Sequence, residues 1–417
     1  LYHKNMRSDD NLLQICEVKD TWNKDNTKIW VIREIHSTSN HRFVEFVEKN
    51  KDRKGSQLLA DSINWAIDHF AKDKEDDFMF EMTDAVLGDF YPMPPRIFPY
   101  VEKIVKAYVK KALCLDLDDL DKYDLFATEG ATAAMVYIFN SLKINRILKK
   151  GDQVAIMTPI FSPYLEIPVL EEFHFVEVLI EGKENMDWQI PAKEIEKLKD
   201  PKIKALYIVN PTNPTSISLN NKCIKKIAEL IRTQRNDLII LTDVVYAPFV
   251  TDFNSLLDEI PKNTICVYSY SKYFGVTGWR LGVVMLHHDN IIDEMISKLP
   301  QVEKHILHER YKTLVPDVEN FKFIDRLESD SRKEALAHTG GLSCPQQCIM
   351  ALFSLFGLID TKNKYKNDIH QILKKRIEHL YGNLEEEIPP EKDHTYYYAL
   401  IDIADLSQRK YGEEFAN

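Results

Sequence analysis

The sequence predicts an α/β protein in which a mostly parallel sheet is flanked by helices. From about residue 120, short apolar runs alternate with longer amphipathic segments, as in chains where strands and helices follow one another. The apolar runs lack an apolar/polar alternation, as expected for strands that are buried on both faces. The composition, 44% hydrophobic and 29% charged, is that of a globular protein and excludes a disordered, collagenous or disulfide-stabilised chain.

Seven apolar runs are predicted as strands, and amphipathic segments between them as helices. The predicted helices include 132–148 and 221–235, and the first is expected to end at Lys149, Lys150 and Gly151, where cations meet the negative helix end. The predicted strands are 125–127, 153–157, 173–180, 205–209, 238–242, 265–269 and 281–286.

The two ends of the chain differ from this central part. Residues 1–85 are highly charged and are predicted to be mostly helical, with a helix over 57–70 from the spacing of its apolar residues. A Pro-rich turn follows at 91–95, and helices return beyond about 320. The chain starts at Leu1 rather than at Met and stops in mid-pattern, so we expect segments to be missing at its ends.

Charge and cysteine content exclude several classes of partner. The 54 basic and 65 acidic residues give a net charge of −11, which argues against nucleic acid. No run of about 18 uncharged apolar residues predicts a membrane span. The six cysteines form neither a disulfide framework nor a zinc set, so we expect a reduced, cytoplasmic location and no metal site.

Five predicted strands are followed by small, polar, aromatic or ionisable residues. Sheets of this kind bind ligands at the carboxyl ends of their strands, so we expect these residues to line one pocket. The segments are Glu129-Gly130-Ala131-Thr132, Thr158-Pro159-Ile160-Phe161, Asn210-Pro211-Thr212-Asn213-Pro214-Thr215, Asp243-Val244-Val245-Tyr246 and Ser269-Tyr270-Ser271-Lys272.

The most specific motif lies in a cluster of glycines. The chain has only 13 glycines, about half of the usual ~7%, yet three of them fall within 275–282. Residues 269–282, Ser-Tyr-Ser-Lys-Tyr-Phe-Gly-Val-Thr-Gly-Trp-Arg-Leu-Gly, resemble the Ser-x-x-Lys signature, followed eight residues later by Arg-x-Gly, of the fold type I pyridoxal-phosphate (PLP) enzymes, the aspartate aminotransferase superfamily. Segments 125–135, 158–168 and 338–347 are most similar to its aspartate 4-decarboxylase/aspartate aminotransferase group.

The resemblance runs from about residue 75 to the end and implies a fold and an assembly. We expect a large PLP-binding domain with a mostly parallel mixed sheet flanked by helices, plus a smaller α+β domain from the chain ends. The expected division is an N-terminal helical segment at 1–85, the large domain at 86–320 and the incomplete start of the small domain at 321–417. The resemblance also implies a homodimer or larger homo-oligomer.

The resemblance assigns roles to the residues of the motif. Lys272 is the expected Schiff-base lysine, whose amine must be neutral to attack an aldehyde, and Arg280 and Ser269 are expected to hold the cofactor phosphate. The alternative for Lys272 and Arg280 is a surface pair near a turn. The helix start after Glu129 is assigned to the same phosphate, because free N–H groups and the helix dipole favour an anion. Its residues are Gly130, Ala131 and Thr132.

Four further residues are assigned to the cofactor ring. Asp243 is expected to keep the pyridine nitrogen protonated, or else to cap a helix at its strand end. Tyr246 and Asn213 are expected to hydrogen-bond the 3-oxygen of the ring, with Asn210 a lesser candidate. Phe161 is expected to stack on the ring, or to be an ordinary core aromatic.

Two segments are expected to reach the site of a neighbouring subunit. Tyr91 resembles the tyrosine that contacts the neighbour's phosphate across a dimer interface, its alternative being a turn tyrosine on a Pro-rich loop. Residues 338–343 precede a predicted helix and are a further candidate for the edge of that site.

The narrower resemblance implies L-aspartate as substrate, with β-decarboxylation to alanine and CO2, transamination with a 2-oxo acid, or both. A class I aminotransferase of broader range and a non-catalytic, cofactor-binding homologue remain as alternatives.

The group's N-terminal Gly-Arg-Gly-Asn-Pro-type loop is not found in residues 1–60, and the chain stops before the strand that carries the substrate-binding arginine. Arg96 and Arg310 are only bystander candidates for that role. A nicotinamide dehydrogenase is disfavoured, because no GxGxxG follows a strand.

Overall fold

The computed structural model describes residues 15–19, 29–34, 55–72, 74–88, 91–92, 94–117, 119–169, 173–335 and 340–412. The strands are β1 (Ile15–Lys19), β2 (Ile29–Glu34), β3 (Tyr123–Thr128), β4 (Gln153–Thr158), β5 (Val176–Glu181), β6 (Ile203–Val209), β7 (Ile239–Asp243), β8 (Thr264–Ser269), β9 (Gly282–His287) and β10 (Tyr398–Asp402). The helices are α1 (Gly55–Phe70), α2 (Glu75–Leu87), α3 (Pro99–Ala112), α4 (Ala131–Ile144), α5 (Pro163–Glu166), α6 (Ala192–Glu196), α7 (Asn221–Gln234), α8 (Leu256–Glu259), α9 (Ile291–Ser297), α10 (Gln301–Tyr311), α11 (Phe323–Ala335), α12 (Cys344–Ile359), α13 (Lys364–Leu384) and α14 (Ile403–Tyr411).

A seven-stranded sheet with the order β3-β9-β8-β7-β6-β4-β5 forms the centre of the molecule. Its neighbouring strands are parallel, except that β9 runs antiparallel to both β3 and β8. Each of the seven predicted apolar runs coincides with one of these strands. The predicted mostly parallel mixed sheet is therefore confirmed.

Both faces of this sheet are buried, as the absence of alternation in the sequence predicts. Alternate residues of one strand enter different cores: Val154 and Ile156 of β4 join one hydrophobic cluster, and Ala155 and Met157 join the other. Helix α7 packs its apolar side into the second cluster. No helix in the described ranges is long and apolar enough to cross a membrane.

A second, three-stranded sheet brings the two chain ends together. Strand β2 lies between β1 and β10 and is antiparallel to both. The predicted smaller α+β part from the chain ends is thereby confirmed. The N-terminal segment is less helical than its pattern suggests, because β1 and β2 precede α1. Strand β2 pairs with β10, more than 360 residues away, and this non-local pairing leaves no local signal. The domain boundaries near 85 and 320 stay a prediction.

The end of helix α4 differs from the expectation. The helix ends at Ile144 and not at the Lys149-Lys150-Gly151 segment. Asn145 follows it, and its buried amide donates to the carbonyl of Ser141 at 2.9 Å and to the hydroxyl of Tyr311 at 3.1 Å. Because the Asn145 side chain hydrogen-bonds both the last turn of the helix and a residue of another helix, the helix ends earlier than the charge pattern indicates.

Candidate active site

All five polar strand ends lie along one edge of the large sheet, because β3 and β8 are both antiparallel to β9 and β8 is parallel to β7, β6 and β4. In the β6–β7 ladder Val209 is opposite Asp243, so the loop that carries Asn213 starts beside that carboxylate. Gly282, the first residue of antiparallel β9, is opposite Thr128 on one side and Ser269 on the other. The helix start after β3 and the lysine turn after β8 therefore flank one short stretch of backbone.

Asp243 is the buried acid of this edge, with 3% of its surface exposed. One carboxylate oxygen accepts a hydrogen bond of 2.7 Å from the Tyr164 hydroxyl, and the other accepts one of 2.9 Å from the Val245 main chain. Burial raises the pKa of the Asp243 carboxyl to about 6, although both hydrogen bonds and the positive charge of Lys272 act to lower it. A buried carboxylate that is ionised is stabilised by a cationic group beside it.

Lys272 lies in the turn directly after β8, half-buried. Its Nζ is 6.0 Å from the ring centre of Tyr397. Its positive charge acts to lower the pKa of the Asp243 carboxyl, so the two groups interact electrostatically across the site. The structure therefore brings together the two residues on which the sequence-based assignment depends.

Arg280 and Gly130 are in contact across the β3–β9 ladder. The guanidinium donates to the carbonyls of Thr277 at 3.2 Å and Glu129 at 3.3 Å, which are its hydrogen bonds within the described residues. Gly130 has a φ of +96°, and a Cβ added to it would lie 2.8 Å from Nη2 of Arg280. A Cβ added to Gly282 would lie 2.7 Å from the Cα of Gly130. Steric crowding therefore explains why position 282 is a glycine, whereas Gly278 faces open space.

The start of helix α4 is open to an anion. Gly130 is its N-cap and provides no side-chain cap, so the first N–H groups, from Ala131 and Thr132 onward, lack side-chain partners there. Arg280 is exposed beside this helix start. Ser269, buried at the end of β8, hydrogen-bonds Ser271 at 3.0 Å and the carbonyl of Leu281 at 3.2 Å. Helix N–H groups, a guanidinium and a hydroxyl together are suited to a phosphate dianion.

Asn213 and Tyr246 lie together at this edge, and a third residue joins them. The Asn213 amide donates to the hydroxyl of Tyr246 at 3.4 Å and to that of Tyr398 at 3.1 Å, and the two hydroxyls hydrogen-bond each other. Sequence reasoning missed Tyr398, which is on β10. Asn210 does not join this group, because its side-chain oxygen accepts from the main chain of Leu219 at 2.9 Å.

Tyr164 is a second residue that sequence reasoning missed. It belongs to segment 158–168, which carried the narrower resemblance, but the motif gave no reason to prefer it over Phe161. Besides Asp243, its hydroxyl has the Thr132 side chain as a hydrogen-bond partner. Tyr164 thereby connects the open helix start to the buried acid.

Phe161 and Tyr91 are at the surface of the single chain. Phe161 is 38% exposed, with its ring edge-on to Tyr164 at 5.4 Å between centres, and Tyr91 is 62% exposed. The neighbours of Tyr91 at 89, 90 and 93, and residues 338 and 339 of the predicted neighbour-site segment, lie outside the described residues. Leu342, further along that segment, donates from its main chain to the carbonyl of Ala127 at 3.2 Å, so the segment packs on the end of β3.

Neither bystander arginine is free to bind a substrate carboxylate. Arg96 donates to Asp325 at 2.6 Å, to the carbonyl of Leu125 at 2.6 Å and to Asp124 at 3.3 Å. Arg310 donates to the fully buried carboxylate of Asp330 at 3.0 and 2.7 Å. Both are structural ion pairs.

The residues at this edge fit PLP by the chemistry of their donors. An open helix start with Arg280 suits the phosphate, a buried acid suits a protonated pyridine nitrogen, and an amine lies beside that acid. In the described part of the chain no group of three or more His, Cys, Asp or Glu residues is placed to hold a metal ion.

Comparison with known proteins agrees with this geometry. Residues 107–318 match the family model of the class I and II aminotransferases. Among solved structures, Thermus thermophilus aspartate aminotransferase with maleate superimposes with a TM-score of 0.53 at 17% identity, covering 75% of this chain and 72% of that one. At this identity the likeness shows the fold.

The chain belongs to the class I and II aminotransferases, and the predicted membership of the fold type I superfamily is confirmed. A bifunctional aspartate aminotransferase and L-aspartate beta-decarboxylase from Pseudomonas sp is 44% identical over 377 residues, which are 90% of this chain and 70% of that protein. An aspartate aminotransferase from Pyrococcus abyssi is 31% identical over 191 residues, 45% of this chain and 46% of that protein. The family implies PLP as cofactor.

Proposed function

We propose that the protein is a PLP-dependent enzyme that acts on L-aspartate, releasing its β-carboxylate as CO2 to give alanine, transferring its amino group to a 2-oxo acid, or both. The observation that carries the proposal is the convergence of Lys272, Asp243 and Arg280 on one edge of the sheet. The 44% identity to a bifunctional enzyme over 90% of the chain supports aspartate as substrate.

Each end of the cofactor has its own set of proposed partners. The phosphate is bound by Arg280, Ser269 and the helix start at Gly130, Ala131 and Thr132, because N–H groups and a planar guanidinium fork stabilise a dianion. Asp243 holds the pyridine nitrogen, and Asn213 and Tyr246 hold the 3-oxygen of the ring. Phe161 covers the ring face. Bound PLP supplies an electron sink that stabilises negative charge on the substrate carbon atoms next to its amino group.

Lys272 is the residue that handles protons. Its Nζ would hold PLP covalently, and when free of it would take the α-proton of the substrate and return it one atom further along. A lysine can do this only when its amine is neutral.

Decarboxylation and transamination share the removal of the α-proton and differ in their later steps. The group that binds the side-chain carboxylate decides whether it is retained or lost. A class I aminotransferase of broader range is the second candidate, because an aromatic-amino-acid aminotransferase from Thermococcus litoralis is 36% identical over 140 residues, 32% of this chain. Family membership disfavours the non-catalytic alternative.

The active unit is proposed to be a cytoplasmic homodimer. Tyr91 is 62% exposed in the single chain, as a residue that completes a neighbour's phosphate site must be before assembly. Met79, Phe80, Val86 and Leu87 of the preceding helix are exposed as well, which supports an interface on this side.

Product analysis after incubation with L-aspartate tests the proposal. The PLP-loaded protein is incubated with and without a 2-oxo acid, and alanine, CO2 and the new amino acid are quantified. Alanine with stoichiometric CO2 shows β-decarboxylation, amino transfer from L-aspartate shows transamination, and either supports the proposal. Amino transfer that is as fast from aromatic amino acids as from L-aspartate supports the aminotransferase of broader range. Turnover that is equally fast in Lys272→Ala, or none with any amino acid in the wild type, contradicts the proposal.

A further inference from the structure

The first residue of strand β10 and the residue before it are tyrosines that enter the site from the far end of the chain. Tyr397 is fully buried, and its ring packs at 5.1 Å against those of both Tyr246 and Phe249. The next residue, Tyr398, is 5% exposed and places its hydroxyl between Asn213 and Tyr246. The motifs that define the site on the large sheet predict neither residue.

The main chain of Tyr398 is fixed independently of its hydroxyl. Its N–H donates to the Ser216 hydroxyl at 2.7 Å, and the same hydroxyl donates to its carbonyl at 3.2 Å. Thr395 donates from its main chain to the carbonyl of Ser216 at 2.8 Å, and Ile217 forms a β-bridge with His394. The start of β10 and the loop that carries Asn213 are therefore joined by backbone hydrogen bonds.

A count of protons shows what the Tyr398 hydroxyl can do. The amide of Asn213 has two protons: the shorter bond, of 3.1 Å to Tyr398, uses one of them, and the other is left for the 3-oxygen of the ring. Each hydroxyl has one proton, and one of these is used between Tyr246 and Tyr398. The other remains for an outside acceptor. If Tyr398 is the donor of the shared bond, the proton of Tyr246 is the one left for the cofactor.

We propose that Tyr398 is a positioning residue that donates to Tyr246, so that the proton of Tyr246 is directed at the 3-oxygen of the bound ring. The inference rests on the proposed function of the site. A hydrogen bond to that oxygen stabilises its negative charge. When the bond is weakened, the oxygen holds the neighbouring proton of the lysine–cofactor adduct more tightly, and the pKa of the adduct rises.

The visible absorbance of the PLP-loaded protein as a function of pH tests this role without measuring turnover. In Tyr398→Phe we expect the midpoint of the titration to rise by about one pH unit. A shift of this size corresponds to the free energy of a single hydrogen bond. Tyr396→Phe is the matched control, because it removes a hydroxyl two residues away that donates to the carbonyl of Pro389 at 3.1 Å. Its midpoint should equal that of the wild type.

A second variant keeps the test independent of the folding of Tyr398→Phe. Ser216→Ala leaves both tyrosine hydroxyls in place but removes the anchor of the Tyr398 main chain, and should raise the midpoint by a smaller amount. A wild-type midpoint in Tyr398→Phe, or in Ser216→Ala if the first variant does not fold, overturns the inference, even if the melting temperature falls. A wild-type protein that forms no band with PLP contradicts the proposed function itself.

Discussion

Tyr164 donates a 2.7 Å hydrogen bond to the carboxylate of Asp243, and both side chains are almost completely buried. The bond stabilises the ionised carboxylate against the burial that raises its pKa to about 6. The proposed partner of Asp243 is a protonated pyridine nitrogen, which needs an anion beside it. Tyr164 is therefore expected to control how firmly the ring is held.

Tyr164→Phe should weaken PLP binding most at low pH. Without the donor, the pKa of Asp243 rises further, and less of the acid is ionised near pH 6 than near pH 8. A hydrogen bond to a charged group contributes about 1.5–3 kcal/mol, so we expect the dissociation constant to rise about tenfold or more. Titration of the apoprotein with PLP at both pH values measures it.

Tyr381→Phe provides the control for this variant. Its buried hydroxyl also makes one hydrogen bond, of 3.0 Å to the carbonyl of Leu400, but away from Asp243. PLP affinity should be unchanged in this variant. Equal losses in both variants, or a loss in Tyr164→Phe that does not depend on pH, would show that packing rather than the carboxylate is responsible.

Asp243→Asn should stabilise the apoprotein at neutral pH. The pKa of Asp243 is raised on folding, so its favourable contribution is present below pH 4 and is lost as the pH rises through about 6. A shift of about two units corresponds to about 3 kcal/mol, which the variant regains above pH 6 and not below pH 4. Urea unfolding of both apoproteins at pH 4 and pH 8 measures this difference.

Asp237→Asn is a control of opposite sign. Hydrogen bonds from Arg235 hold the pKa of Asp237 below its usual value, so its contribution to stability is present above about pH 4 and lost on acidification. This variant should be less stable than the wild type at pH 8. An Asp243→Asn apoprotein that is also less stable at pH 8 would refute the account of an acid whose ionisation is opposed by burial.

Gly130→Ala should reduce PLP affinity by displacing Arg280. The added Cβ would lie 2.8 Å from the guanidinium, at a φ of +96° that an alanine rarely adopts. Loss of one charge-assisted hydrogen bond to the phosphate predicts an affinity about 10- to 100-fold lower. Equilibrium titration with PLP, alongside thermal unfolding of the apoprotein, separates affinity from stability.

Gly151→Ala is the control that separates the steric clash with Arg280 from the backbone strain of a positive φ. Gly151 has a φ of +88°, similar to that of Gly130, but no atom lies within 4 Å of the added Cβ. It should lower the melting temperature while leaving PLP affinity unchanged. If the two variants lose the same affinity, the contact between Gly130 and Arg280 is not what shapes the phosphate site.

The sequence was most informative where buried strands meet short motifs. Continuous apolar runs predict all seven strands of the large sheet, because burial on both faces leaves no alternation. Motif spacing placed Lys272, Asp243 and Asn213 at strand ends that the structure brings to one edge. The same reasoning could not find β1 and β2, and β2 pairs with β10, more than 360 residues away.

Local sequence patterns did not predict two tyrosines that complete the site. Tyr398 arrives on a strand of the small sheet, and its role depends on backbone bonds to Ser216 that no spacing reveals. Tyr164 is three residues from Phe161, on a segment where either aromatic could face the cofactor. Only the 2.7 Å bond to Asp243 distinguishes it.

The position of the covalent bond to the cofactor tests the central claim most directly. The PLP-loaded protein is reduced with borohydride, digested and analysed by mass spectrometry, with Lys272→Ala treated in parallel. The account predicts one pyridoxyl group, on the peptide that contains Lys272, and none in the variant. A modification on another lysine, or an equal yield from Lys272→Ala, would contradict it.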